Sequence, residues 1–155
     1  MRVLRIFVSP SHNYFGHHGL QPGDQPMREV EEVECLAGRG LAGDRFLDHK
    51  PDYKGQVTFF EQEVFERLRD EFAVFDRDVD AFRRNVIVSG KDLRELIGRE
   101  FTLQGITFAG SEEAKPCYWM DEAFCPGAEA ALRGHGGLRA RILNNGVLRA
   151  EAPKV

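Results

Sequence analysis

The chain lacks any long apolar run. Its uninterrupted apolar stretches span a few residues, as in Val57-Thr58-Phe59-Phe60, against the roughly 20 that a helix needs to cross a bilayer, so no membrane span is expected. An excess of positive charge is also missing: 21 Lys and Arg stand against 25 Asp and Glu, for a net charge of −4. A nucleic-acid partner calls for the opposite balance, and none is expected. Cysteine is scarce, with only Cys35, Cys117 and Cys125. Three thiols cannot all pair within one chain, and a reducing compartment keeps them free. The first eight residues, MRVLRIFV, alternate apolar and charged side chains instead of forming a signal-peptide core. Export is not indicated, and the cytoplasm is the expected location.

There is no internal repeat, low-complexity tract or linker-like composition. The 155 residues, 42% hydrophobic and 30% charged, suit one folded domain over 1–155 with its own core.

Residues 2–9 alternate as a strand, with Leu4, Ile6 and Val8 expected on the core side. Residues 10–26 read as a long loop carrying His12, His17 and His18. Imidazoles suit zinc, copper, iron or nickel, but no matching cysteine or carboxylate spacing accompanies them. The alternative is that Tyr14 and Phe15 pack over the mouth of a barrel. Residues 30–36 resume a strand, followed by the glycine-rich turn 38–45. Residues 56–60 are β-prone, and Val64, Phe65, Leu68 and Phe72 then mark an amphipathic helix over 61–73.

Short helical turns are expected at 79–82 and 91–97, with a strand at 85–89 between them. Two further strands, 99–103 and 106–110, flank the hairpin turn Gln104-Gly105. A loop then carries Asp121, Glu122 and Cys125 ahead of a short helix at 128–132. Strands at 138–143 and 147–150 flank Asn144-Asn145-Gly146, a second hairpin signal. Strands outnumber helices without alternating with them, so the expected fold is β-rich: a mainly antiparallel β-barrel with a few short helices.

Candidate chemistry gathers at two places. Cys117 follows Lys115-Pro116; a nearby ammonium favours the thiolate, which is the nucleophilic and metal-ligating form, and proline stiffens the approach. The bland alternative is a small buried hydrophobe. Cys125 lies eight residues on and is a candidate resolving thiol for a redox protein, or simply part of a turn. The second place is residues 130–150, where Arg133, Arg139, Arg141, Arg149 and His135 occur without a carboxylate. Strand alternation puts Arg139 and Arg141 on one face about 7 Å apart, a spacing that suits an oxyanion. Gly136 and Gly137 just upstream offer backbone N–H groups. Arg83-Arg84-Asn85 either stabilises a helix C-terminus or joins an anion site. Arg45 either pairs with Asp44 to brace the loop or reaches an anionic ligand.

Taken together, GRGLAGDRF (38–46), FRRNVIVSGKDLRELIGREFTLQGITFAG (82–110), PCYWM (116–120) and RGHGGLRARILNNGVL (133–148) resemble the MOSC domain, named for the C-terminal part of molybdenum-cofactor sulfurase. The resemblance covers most of the chain in the family's order. It implies a β-rich, barrel-like fold, a reactive cysteine that maps onto Cys117, and a role with the molybdenum cofactor (molybdopterin) or in sulfur transfer. Under it, Cys117 is the metal ligand or sulfur carrier and Lys115 tunes it. Arg45, Arg83, Arg84, Asn85, Arg139, Arg141, Gly136 and Gly137 are then the candidates for holding the anionic cofactor. The implied activity is that of a sulfur carrier, a sulfurtransferase or a component of a molybdenum-dependent reductase. Relatives commonly carry His where this chain has Phe46. The chain has no room for a pyridoxal-phosphate desulfurase domain, so a cysteine desulfurase or a reductase is expected as partner in trans. The alternatives from the residues alone are a non-catalytic anion-binding module with a structural cysteine, and a thiol-redox protein.

Overall fold

A computed structural model of the chain describes residues 1–11 and 26–151. Alternation and turn chemistry produce ten strands, three α-helices and two 3₁₀ turns among them. Strands β1 (Arg2–Val8), β2 (Arg28–Val30), β3 (Glu32–Leu36) and β4 (Gly40–Leu41) precede β5 (Val57–Glu61) and helix α1 (Gln62–Phe72). Next come the 3₁₀ turn Val79–Phe82, β6 (Val86–Ser89) and the 3₁₀ turn Leu93–Leu96. Strands β7 (Glu100–Leu103) and β8 (Ile106–Glu113), helices α2 (Tyr118–Ala123) and α3 (Ala128–Ala131), then β9 (Leu138–Ile142) and β10 (Gly146–Arg149) complete the order.

The strands form a seven-stranded sheet, β2-β1-β6-β5-β9-β8-β7, and a three-stranded one, β10-β3-β4. Pairing is antiparallel throughout except between β5 and β6, which run parallel. The β-rich, mainly antiparallel expectation holds. Closure into a barrel is not seen among the described residues, whose pairings put β2 and β7 at the two ends of a mixed sheet. The parallel pair needs a crossover rather than a hairpin, and α1 and the segment after it supply it.

Two cores flank the sheet. Phe59, Val86, Val88, Leu138, Ala140 and Ile142 face one side with Ile6, Phe108 and Val57, where Val33, Cys35, Leu41 and Leu148 of the smaller sheet close over them. Phe60, Ile87 and Phe7 face the other, against Val64, Phe65 and Leu68 of α1, Phe82, Met120, Phe124 and Leu132. Central strands covered on both faces read as apolar runs, which is why Val57-Thr58-Phe59-Phe60 loses its alternation. Each fully buried Phe or Leu contributes about 1.5–3 kcal/mol.

Four local expectations change. A register shift between Val3 and Arg5 turns Val3 into the first core, while Leu4 stays half-buried; a bulge resets strand alternation. Phe7, placed with the outward face by simple alternation, fills the second core. Asn144-Asn145-Gly146 is not a hairpin: β9 pairs with β5 and β8, and β10 with β3. Here the asparagine side chains bridge strands, Asn144 Oδ1 accepting from Thr107 N–H at 2.6 Å and Asn145 Oδ1 from Ala37 N–H at 2.7 Å. The stretch after Cys117, read as a loop, contains α2.

Gln104-Gly105, with φ of 53° and 79°, is the expected β7–β8 hairpin turn, because two residues at positive φ match the twist of the strands. Helix α1 ends at Ala73, in the left-handed region at φ 51°. No helix among the described residues is long and apolar enough to cross a membrane. His12, His17 and His18, and the packing of Tyr14 and Phe15, lie outside the described residues. Among those described, no cluster of His, Cys, Asp or Glu has a metal-binding arrangement.

Candidate functional site

Where β5, β8 and β9 run side by side, a cleft of about 50 Å³ opens, lined by Arg45, Arg83, Arg84, Lys115, Arg139, Thr58, Phe46, Tyr53, Gly55 and Ala114. Five cationic side chains, scattered over 95 residues of sequence (45 to 139), thus share one small cavity. Each comes from a different local device. Arg45 follows the turn after β4; Arg83, left-handed at φ 57°, ends the 3₁₀ turn Val79–Phe82, and Arg84 follows it. Lys115 follows β8. Arg139 stands on β9 in register with Thr58 of β5 on one side and Glu112 of β8 on the other.

A buried polar network holds the cleft floor. The Asp44 carboxylate accepts from Ser9 N–H (3.1 Å), Arg45 Nη1 (3.0 Å), Asn85 Nδ2 (3.3 Å) and Phe46 N–H (3.3 Å). The Asp44 side chain is fully buried and that of Arg45 is 4% exposed. A charge at that depth is tolerable only when saturated in this way. Asn85, wholly buried, accepts from Thr58 N–H and Oγ1, both at 3.1 Å, and donates to Phe7 O at 3.1 Å. It therefore ties β5 to β1 and sits beneath the cleft, not on its wall. Asp44–Arg45 is the brace anticipated as one alternative, and Arg45 also lines the cleft; it donates to Arg83 O at 3.0 Å.

The cations differ in freedom. Arg84, 6% exposed, donates to Gly136 O (2.8 Å), Phe82 O (3.0 Å), Ala114 O (2.8 Å) and Lys115 O (3.4 Å). Arg83 donates to Ser9 Oγ and Ser11 O. Arg139 is a third exposed and pairs with Glu112 at 3.1 Å, while Lys54 reaches the same carboxylate at 3.0 Å. The hydrogen bond from Lys54 chiefly, with the charges of Lys54, Arg139 and Lys115, holds the Glu112 carboxyl below the usual range. Lys115 is exposed.

Other expected site residues lie elsewhere or act differently. Arg141 shares the outward face of β9 with Arg139, but it pairs with Asp52 at 2.9 Å and is absent from the cleft wall. The arginine cluster near the C-terminus is likewise tempered, Arg149 pairing with Glu32. Gly136 N–H donates to Glu113 at 3.1 Å, and Gly137 O accepts from Ala114 N–H. A Cβ on Gly136 would strike Ala114 O and come within 2.8 Å of Pro116 Cδ. That glycine lets the 114–117 segment lie against the 134–137 loop. Burial, with repulsion from Arg94 and Arg67, pushes His135 down.

Cys117 opens α2. Its backbone carbonyl accepts from Met120 N–H at 3.0 Å, and its own N–H donates to Met120 Sδ at 3.5 Å. It is half-buried against the second core, as is Cys125, and all three cysteines are free thiols. Burial pushes Cys35 up to about 12, as expected for a core thiol, and raises Cys125. Trp119 Nε1 donates to Ala81 O at 2.9 Å, which pins α2 to the turn that carries Arg83. Cys117 is two residues from Lys115 on the cleft wall but does not itself line the cavity.

Sequence reading missed Tyr53, Gly55, Thr58 and the aromatic role of Phe46. Phe46 stacks on Tyr53 with centroids 5.6 Å apart, and the Arg45 guanidinium lies 4.8 Å from the Phe46 centroid. The available signal was an aromatic two residues before a glycine at the mouth of a buried strand. Chemically, guanidinium groups and an ammonium around so small a volume suit a single oxyanion; the Thr58 hydroxyl is taken up by Asn85.

A family model described as the MOSC domain matches residues 39–153. No curated protein matches the chain significantly. Among solved structures, the fold is similar to that of the YuaD protein from Bacillus subtilis, with a TM-score of 0.71 at 14% identity over 96% of this chain and 91% of that one. It is also similar to YiiM from Geobacillus stearothermophilus (TM-score 0.69, 16% identity, 98% of this chain and 72% of that one). YiiM from Escherichia coli gives a TM-score of 0.66 at 18% identity, over 99% of this chain and 68% of that one. At these identities the likeness is one of fold.

Proposed function

The chain belongs to the MOSC domain family, and from that premise we propose that it binds the molybdenum cofactor by its anionic end in the cationic cleft, with Cys117 as the sulfur that ligates the metal or carries sulfur to it. The observation that carries this reading is the convergence of Arg45, Arg83, Arg84, Lys115 and Arg139 on one cavity, whose Lys115 wall leads into Cys117.

The donor set fits the group: guanidinium and ammonium for phosphate oxygens, a thiol for a soft metal. Size decides how much is enclosed. About 50 Å³ exceeds the ~10–15 Å³ that one water needs but falls far short of the ~300–1,000 Å³ of a site that swallows a drug-sized ligand. The cleft suits the oxyanion end and not a whole pterin. When bound, the group supplies a redox-active metal held by sulfur. The protein's own residues do the rest: Arg84 and Arg45, fixed by the backbone and by Asp44, present charge at no reorganisation cost, and Arg139 exchanges Glu112 for the ligand.

As a sulfur carrier, Cys117 in its thiolate form attacks the terminal sulfur of a persulfide on a partner cysteine desulfurase. The donor S–S bond breaks, the donor leaves as thiolate, and Cys117 keeps the sulfur as its own persulfide, with no net redox change. Lys115 stabilises the anionic sulfur. A reductase partner replaces the desulfurase if the chain is part of a molybdenum-dependent reductase. A second reading, an anion-binding module with a structural cysteine, is favoured by the half-buried packing of Cys117 against the second core at the start of α2.

Incubation with a cysteine desulfurase and cysteine, followed by cyanolysis of labile sulfane sulfur, separates the two. Carriage predicts close to one sulfur per chain on the wild type, none on Cys117→Ser and an undiminished amount on Arg139→Ala. An unlabelled wild type favours the permanent-ligand or structural roles of Cys117.

A further inference from the structure

The cleft contains a neutral polar group that no described residue engages. Tyr53 lines the cavity and is 9% exposed. Its ring is held on several sides: stacked on Phe46 at 5.6 Å, tilted against His49 at 4.7 Å, and beneath the Lys50 ammonium at 5.2 Å. Its hydroxyl has no hydrogen-bond partner among the described residues, although the ring is so well placed. The ring is nearly buried while the phenolic oxygen is not among the buried unpaired atoms, so the hydroxyl is open to whatever occupies the cleft.

The direction of the hydroxyl follows from Gly55. A Cβ on Gly55 would come within 3.1 Å of Tyr53 Cε2, 3.3 Å of Cζ and 3.4 Å of Arg139 Cδ. The hydroxyl-bearing end of the ring and the stem of Arg139 therefore meet over Gly55, which itself lines the cavity. The absence of a side chain at residue 55 is what permits this approach. Phenol and guanidinium converge on one place.

We propose that Tyr53 is a specificity-determining residue of the cleft, donating its phenolic O–H to a tetrahedral oxyanion of the phosphate class held by the cations. This rests on the reading of the cleft as the anion site. The arginines supply charge, which any anion satisfies; a single neutral O–H fixed by a stacked ring supplies direction. It also gives the cleft an apolar wall of Phe46 and Tyr53, suited to an oxyanion borne on an organic group.

The test is calorimetric titration of the full chain with inorganic phosphate and, separately, molybdate, alongside Tyr53→Phe, Gly55→Ala and Arg139→Ala. Tyr53→Phe keeps the ring and its stacking, and thermal melting checks that it folds as the wild type does. A hydrogen bond to a charged group predicts weakening by roughly ten-fold or more in Tyr53→Phe. It also predicts a tyrosine ultraviolet difference band on phosphate addition to the wild type that is lost in the variant. Gly55→Ala, which displaces the phenol, should weaken binding similarly. Unchanged affinity and an unchanged difference band in Tyr53→Phe, with Arg139→Ala weakened, overturn the role of Tyr53 and leave the cleft reading intact. No binding of either anion to the wild type overturns both.

Discussion

Arg84 and Arg139 line the same cavity but are bound to the protein in different ways, and the difference separates stability from ligand binding. Removing Arg84 strands carbonyl oxygens of Phe82, Ala114 and Gly136 that it reaches at 2.8–3.0 Å, and each buried acceptor left unpaired costs about 1–3 kcal/mol. Arg84→Ala is therefore expected to lower stability by about 3 kcal/mol or more in urea unfolding. Arg139→Ala breaks a surface pair worth under about 1 kcal/mol, so it should melt close to the wild type while losing anion affinity. Glu112 competes with any ligand for Arg139. Glu112→Gln should tighten phosphate binding by up to about five-fold, the range of an exposed ion pair, measured by the same titration. The sequence made Arg45, Arg83, Arg84 and Arg139 visible as cations but not the fact that they meet, because their contacts span dozens of residues. Arg141 looked equivalent to Arg139 by alternation, and only the position of Asp52 separates them.

At the scale of elements, α1 and the β7–β8 hairpin were legible because their signals are local: a 3.6-residue apolar period and a two-residue turn. Ala73, at φ 51°, carries the strain of a left-handed residue with a Cβ. Ala73→Gly relieves it, offset in part by the greater freedom of glycine in the unfolded chain. The expected outcome is a stability gain of about 0.5–1 kcal/mol by urea denaturation with binding unchanged; a loss contradicts this account of the cap. Asn144-Asn145-Gly146 misled because the same residues that favour a hairpin also bridge strands through their side chains. Helix α2 was missed because six residues carry too little periodicity to register, and its position depends on Trp119 reaching Ala81.

At the scale of the whole molecule, the two-sided sheet explains both the apolar central strands and the failure of simple alternation in β1. It also brings distant ends together: Arg5 of β1 pairs with Asp78 before the 3₁₀ turn at 2.7 Å and with Glu29 of β2 at 2.9 Å. The Arg5 hydrogen bond holds the Asp78 carboxyl below its usual range. A depressed carboxyl contributes stability above its unfolded pKa of about 3.9 and loses it as pH falls through the folded value. Stability should thus decline below about pH 4, and Asp78→Asn should flatten that limb in urea titrations at stepped pH. An unaltered slope in the variant assigns the acid limb to other carboxylates.

The family, the β-rich class and the cationic character of the site could be read from sequence because GRGLAGDRF and the arginine pairs carry them in order. Tyr53 and the strand order of the mixed sheet could not, since neither has a local pattern. At the centre stands the proposal that the cleft and Cys117 together hold the molybdenum cofactor. Its most direct test is elemental analysis for molybdenum with pterin fluorescence, on protein produced in a cofactor-making host, for the wild type, Cys117→Ala and Arg139→Ala. The account predicts molybdenum and pterin together in the wild type, molybdenum lost in Cys117→Ala, and both reduced in Arg139→Ala. Neither molybdenum nor pterin in the wild type, or the same content of both in all three proteins, contradicts it.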